Sequence, residues 1–180
     1  MPPVADFVFF VFLLSNLVLG LCSLVDLPIH YFRGLGHWER ISHPVDAFAV
    51  FLTMLTGYYA AKSQSSILFW AYCFFSLATV VLSYKDEFIH KIEAPGYEQL
   101  LHAVMFSSSA VLLVSGAVLV LLKSNSFFFL IAALGSLFFM FLHIGLNFFV
   151  KFPLAPSPSL SPERERSKAL SNSLSRRGKG

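Results

Sequence analysis

Five long apolar runs dominate this chain and decide what it can fold into. They cover roughly residues 6–26, 45–62, 65–84, 98–122 and 126–150. A helix needs about 20 apolar residues to cross the hydrocarbon core of a bilayer. Backbone polar groups in lipid must be paired within the segment, so each run is predicted to be a helix. The second run is the weakest: its uncharged stretch, Ala47 to Ala61, spans only with Asp46 and Lys62 at the interfaces. The predicted fold is all-α, a polytopic bundle of five transmembrane helices within residues 1–152. Residues 153–180, PLAPSPSLSPERERSKALSNSLSRRGKG, lack apolar periodicity and read as a disordered, basic Pro/Ser-rich tail. Charged residues make up 13% of the chain, against about 25% in a soluble domain.

The first run is too long for the apolar core of a signal peptide and has no basic lead-in, so it is expected to stay in place. Pro28 is expected to end regular helix near residue 26. Counting Lys and Arg sets the orientation. With five spans, Arg33, Arg40, Lys85, Lys91, Lys151 and the six basic tail residues share one side, and only Lys62 and Lys123 lie on the other. The positive-inside rule makes the first side cytoplasmic, with the amino terminus outside and the carboxy terminus inside. The expected location is the cell membrane, inner or plasma. Cys22 and Cys73 sit in apolar runs and read as small buried hydrophobes. Nothing in the charge pattern points to nucleic acid.

All six histidines fall on the cytoplasmic side of this topology, and carboxylates accompany them at helical spacing. Asp26 and His30 are four apart, His43 and Asp46 three, Glu87 and His90 three, and Glu98 and His102 four. Residues three or four apart share a helix face. Ser42 or His43 is expected to cap the second helix, with Pro44 in its first turn. The APG turn at residues 94–96 folds helices three and four into a hairpin whose facing residues sum to about 190. That register brings Glu87 beside His102, and His90 between Glu98 and His102. His143 lies within the fifth run, with Asn147 one turn further on the same face. An imidazole at that depth must face the bundle.

These residues suit a metal. The Glu-x-x-His unit resembles the one that builds di-iron carboxylate sites in helical bundles; the HxxxH and HxxHH boxes of membrane desaturases are absent. Imidazole with carboxylate favours iron, manganese or zinc. Glu87, His90, Glu98, His102 and His143 are the expected core ligands, with His30, His43, Asp26 and Asp46 as further candidates. The implied chemistry is oxidation of a lipid or other apolar substrate by a di-iron centre, fed by an electron-donor protein. A zinc hydrolase with the same ligands is a close variant. Two alternatives stand beside it. His102 and His143, at similar depth on adjacent antiparallel helices, would be the axial ligands of a haem b electron carrier. Or the polar groups belong to a small transporter or a membrane assembly factor and catalyse nothing. Elsewhere, small residues are expected to let helices approach: Ser107, Ser108, Ser109, Ser115 and Gly116 in the fourth, Gly135 and Ser136 in the fifth. Asn16 is expected to hydrogen-bond across the bundle. Trp70, Tyr58 and Tyr59 fit one interfacial belt of aromatics, and Tyr31 and Trp38 the other.

Overall fold

The computed structural model describes the backbone of residues 3–33, 39–90, 96–123 and 126–149, and the side chains of residues 4–29, 40–84, 96–123 and 126–148. These residues form five α-helices: α1 (Pro3–Arg33), α2 (Glu39–Ser63), α3 (Ser66–His90), α4 (Gly96–Leu121) and α5 (Phe127–Phe149). There are no strands among them. The apolar runs are the helices, with two differences at their ends. Helix α1 continues through Pro28 to Arg33. A proline removes one hydrogen bond and bends a helix, and the turns on either side can carry it on. Helix α2 starts at Glu39, so Ser42 and His43 lie inside it and do not cap it. The tail, the loop at 34–38 and the turn at 91–95 lie outside the described residues.

Four helices, α1, α3, α4 and α5, are long and apolar enough to cross a membrane. Helix α2 is 25 residues long but carries Glu39, Arg40, His43, Asp46 and Lys62. It occupies the centre of the bundle, against α3, α4 and α5. The outward faces are apolar at helical spacing, as with Ile67, Trp70, Phe74, Leu77 and Val81 on α3 and Leu14, Leu17, Leu21 and Leu24 on α1. So large a continuous apolar surface is stable only in lipid. Trp70 and Tyr59 are exposed near the helix ends, where an interfacial aromatic belt would lie.

Packing follows two antiparallel pairs. Helix α1 runs along α4, helix α5 runs along α2, and α3 joins the pairs by packing against both α2 and α4. Thr53 and Thr79 share a buried hydrogen bond of 3.0 Å across α2 and α3. Tyr84 and Phe106 lie with ring centroids 6.0 Å apart across α3 and α4, at the expected sum of 190. Helices α4 and α5, predicted to be adjacent, are not packed neighbours along their length.

One end of the bundle is a tight core built on Phe12, Met54, Tyr72 and Phe129, all fully buried. The Tyr72 hydroxyl donates to the Leu113 carbonyl at 2.8 Å. Glycines make this possible. A Cβ on Gly57 would lie 2.7 Å from the Phe129 ring, and one on Gly116 would collide with the Tyr72 oxygen. Of the small residues expected to draw helices together, Ser115 and Gly116 are buried and do so. Ser107 is exposed, and a Cβ on Gly135 would meet nothing within 4 Å. Helices α1 and α5 do not pack along their length, and Gly135 faces open space between them.

At the other end a proline explains a side chain. Pro44 has no N–H, so the carbonyl of Arg40, one turn earlier, loses its helical partner. Asn147 of α5 donates its side-chain N–H to that carbonyl at 2.8 Å. Neighbouring helices commonly restore backbone groups freed by proline in this way. Replacing Asn147→Leu should cost about 1–2 kcal/mol. In a Pro44→Ala background, where the N–H returns, the same change should cost about 1 kcal/mol less. Equilibrium unfolding in mixed micelles of the four proteins measures that difference.

Candidate functional site

The histidine-bearing end holds a cavity of about 330 Å³. It lies between the two antiparallel pairs, and all five helices contribute to its walls. Helix α1 provides Asn16, Gly20, Ser23 and Asp26; α2 provides His43, Asp46 and Val50; α4 provides His102, Met105, Phe106 and Ser109; α5 provides Ile131, Gly135, Ser136, Phe139 and His143. Ser83 is the contribution of α3. Most of this surface is apolar, and the acids and imidazoles gather toward one end.

Each antiparallel pair brings an imidazole into contact there. Across α1 and α4, His102 Nε2 lies 3.3 Å from Asp26 Oδ1, and both residues are buried. With Asp26 ionised, its carboxylate only accepts, and Nε2 then carries the shared hydrogen. Across α2 and α5, His43 and His143 stack with ring centroids 5.2 Å apart and planes 20° apart. Glu98 precedes His102 by one turn and is fully buried; it is not part of the cavity wall.

Of the residues picked out in the sequence, Asp26, His43, Asp46, His102 and His143 therefore meet on one cavity. The side chains of His30, Glu87 and His90 lie outside the described residues, so the facing of Glu87 with His102 does too. Among the described residues no three His, Cys, Asp or Glu side chains are grouped as the ligands of one metal ion would be. The donors have the right chemistry, and the Asp26–His102 and His43–His143 contacts join them across helices.

Several wall residues lie outside the expected ligand set. Asn16 donates within its own helix, to the Phe12 carbonyl at 3.0 Å, and not across the bundle as expected; its side chain lines the cavity. Ser23, Ser109 and Ser136 also line it. Ser23 and Ser136 donate to carbonyls one turn back in their own helices, which satisfies hydroxyls in an apolar setting. The sequence holds the signal for them: Asn16, Gly20, Ser23 and Asp26 recur at helical spacing along an otherwise apolar run.

Fold and site together define a class: helical, multi-pass membrane proteins with a polar-ended cavity inside the bundle. No family model, curated protein or solved structure matches this chain.

Proposed function

We propose that this is a five-span membrane protein, amino terminus outside and carboxy terminus cytoplasmic, that binds a small apolar molecule by its polar end. One observation carries the reading. Five acid and imidazole side chains from four helices converge on one end of a mostly apolar cavity. Binding sites for small molecules combine apolar walls with a few convergent polar groups, and begin at about 300 Å³. Ionisable groups inside a membrane protein are costly and are functional by default. The packed Phe12, Met54, Tyr72 and Phe129 at the opposite end favour a one-sided site over a transport path. The orientation rests on the eleven Lys and Arg that share the histidine side.

The expected result is saturable, one-to-one binding of a long-chain amphiphile to the purified protein, read by photoaffinity labelling. Filling the cavity with Ser109→Phe should weaken it by about tenfold or more, since added bulk removes the space the ligand needs. Labelling that never saturates, or that Ser109→Phe leaves unchanged, would sink the reading.

A second reading has an observation of its own. Asp26 holds His102 through Nε2, as a carboxylate orients an imidazole whose other nitrogen ligates a metal. On this reading His43, His102 and His143 are the first candidates as ligands, with Glu87, His90, Glu98, His30 and Asp46 able to complete the set. Iron would make the protein an oxidoreductase acting on the apolar molecule, served by an electron donor; zinc would make it a hydrolase. Metal analysis and an optical spectrum, on wild type beside His43→Ala/His143→Ala, separate these. Stoichiometric iron or zinc lost in the variant supports the metal. A Soret band would revive haem b on His102 and His143, which would both have to turn from their present contacts.

A further inference from the structure

The cavity has a side as well as an end. Helices α1 and α5 do not pack along their length. They meet toward their amino-terminal ends, where Phe9 and Phe128 lie 4.6 Å apart and Phe12 and Phe129 5.0 Å apart, centroid to centroid. Beyond those rings they separate, and the cavity lies behind the gap. Gly20 and Gly135 stand on its two lips: a Cβ on either would meet nothing within 4 Å. The outer surface beside each lip is exposed and apolar, Leu17 and Leu21 on α1 and Leu134 and Phe138 on α5. In a bilayer this opening faces lipid chains.

We infer that the cavity is loaded sideways from the bilayer, through the gap between α1 and α5, by a single-chain amphiphile with an uncharged hydrogen-bonding head such as a long-chain alcohol. This rests on the binding reading above. Three observations define the occupant. The wall runs from Asn16 to Asp26, about 15 Å of helix, or about half the hydrocarbon core; the chain occupies the depth of one leaflet. The volume of about 330 Å³ is at the small end for a ligand site and suits one chain. The polar end presents two carboxylates with three imidazoles, so it can both accept hydrogen bonds from and donate them to an uncharged head. Phe12, one turn before Asn16, and Phe129, two residues before Ile131, pack together beyond that end of the wall and so limit the chain length that fits.

The test uses the full chain in lipid nanodiscs with a photoreactive long-chain alcohol, following the time courses of labelling and of release into excess unlabelled alcohol. Gly135→Trp and Gly20→Trp each obstruct one lip. Both rates should fall by about tenfold in each variant, and by more than equilibrium occupancy changes, because a gate alters rates more than affinity. Leu77→Trp, on the outward face of α3, should leave both rates alone. For wild type in detergent micelles, a two-chain phospholipid should compete poorly, and Phe12→Ala should shift the preferred alcohol to longer chains. Unchanged rates in both lip variants, with labelling that still saturates, would overturn lateral entry and leave the binding site intact. Equal competition by the two-chain lipid would overturn the single-chain occupant. Labelling that does not saturate in wild type would overturn the site itself.

Discussion

Gly116→Ala should lower stability by about 1–3 kcal/mol, the range for overpacking a tight core. The added Cβ lands on the Tyr72 oxygen, with the Phe129 ring a further 3.3 Å contact. Tyr72 cannot retreat cheaply, because it is fully buried and its hydroxyl is spent on the Leu113 carbonyl. Moving it breaks that bond and opens a void beside Phe129. The diagnostic experiment adds Tyr72→Phe. Without the hydroxyl the new methyl has room, so Tyr72→Phe/Gly116→Ala should be more stable than Gly116→Ala alone. Reversible unfolding in mixed micelles gives the comparison. If the second change makes matters worse, the collision is not what Gly116 prevents.

His102→Leu should be the most damaging single change at the cavity, costing about 3 kcal/mol. It strips a buried partner from a carboxylate that is 3% exposed. Removing both partners is gentler than removing one when the survivor is a buried charge. The double variant Asp26→Leu/His102→Leu should therefore be more stable than His102→Leu. The readout is again unfolding, with amphiphile labelling alongside. Stability should recover in the double variant while labelling should not. Equal losses in the single and double variants would mean that Asp26 gains little from His102.

Much of this architecture can be read from the chain, and the limits have physical causes. Apolar length and absence of charge locate α1, α3, α4 and α5, because lipid imposes helix on any long apolar run. The hairpin register survives, with Tyr84 beside Phe106. Helix ends are less legible: Glu39 to Pro44 looks like a loop and a cap, yet Asn147 repairs the proline defect from 107 residues away. Which helices neighbour each other is also hidden. Short connections suggest sequential packing, whereas α1 chooses α4 and α5 chooses α2. That choice separates His102 from His143 and pairs them with Asp26 and His43. The polar stripe on α1 was visible at helical spacing; that it fronts a gap depends on a partner helix that is absent there.

The pairing of α1 with α4 also bears on how the chain is made. Asp26 and His102 are 76 residues apart. At roughly 5–20 residues per second, the first helix waits about 4–15 seconds for the imidazole its carboxylate will bury against. During that interval Asp26 has no His102, and α1 has no α4 to lie on. The carboxylate sits near the end of the apolar run, where it can stay hydrated until the fourth helix arrives. Moving it one or two turns deeper, to Leu19 or Cys22, would strand it in the bilayer before its partner exists. The position of Asp26 along α1 thus suits the order of synthesis as well as the finished cavity.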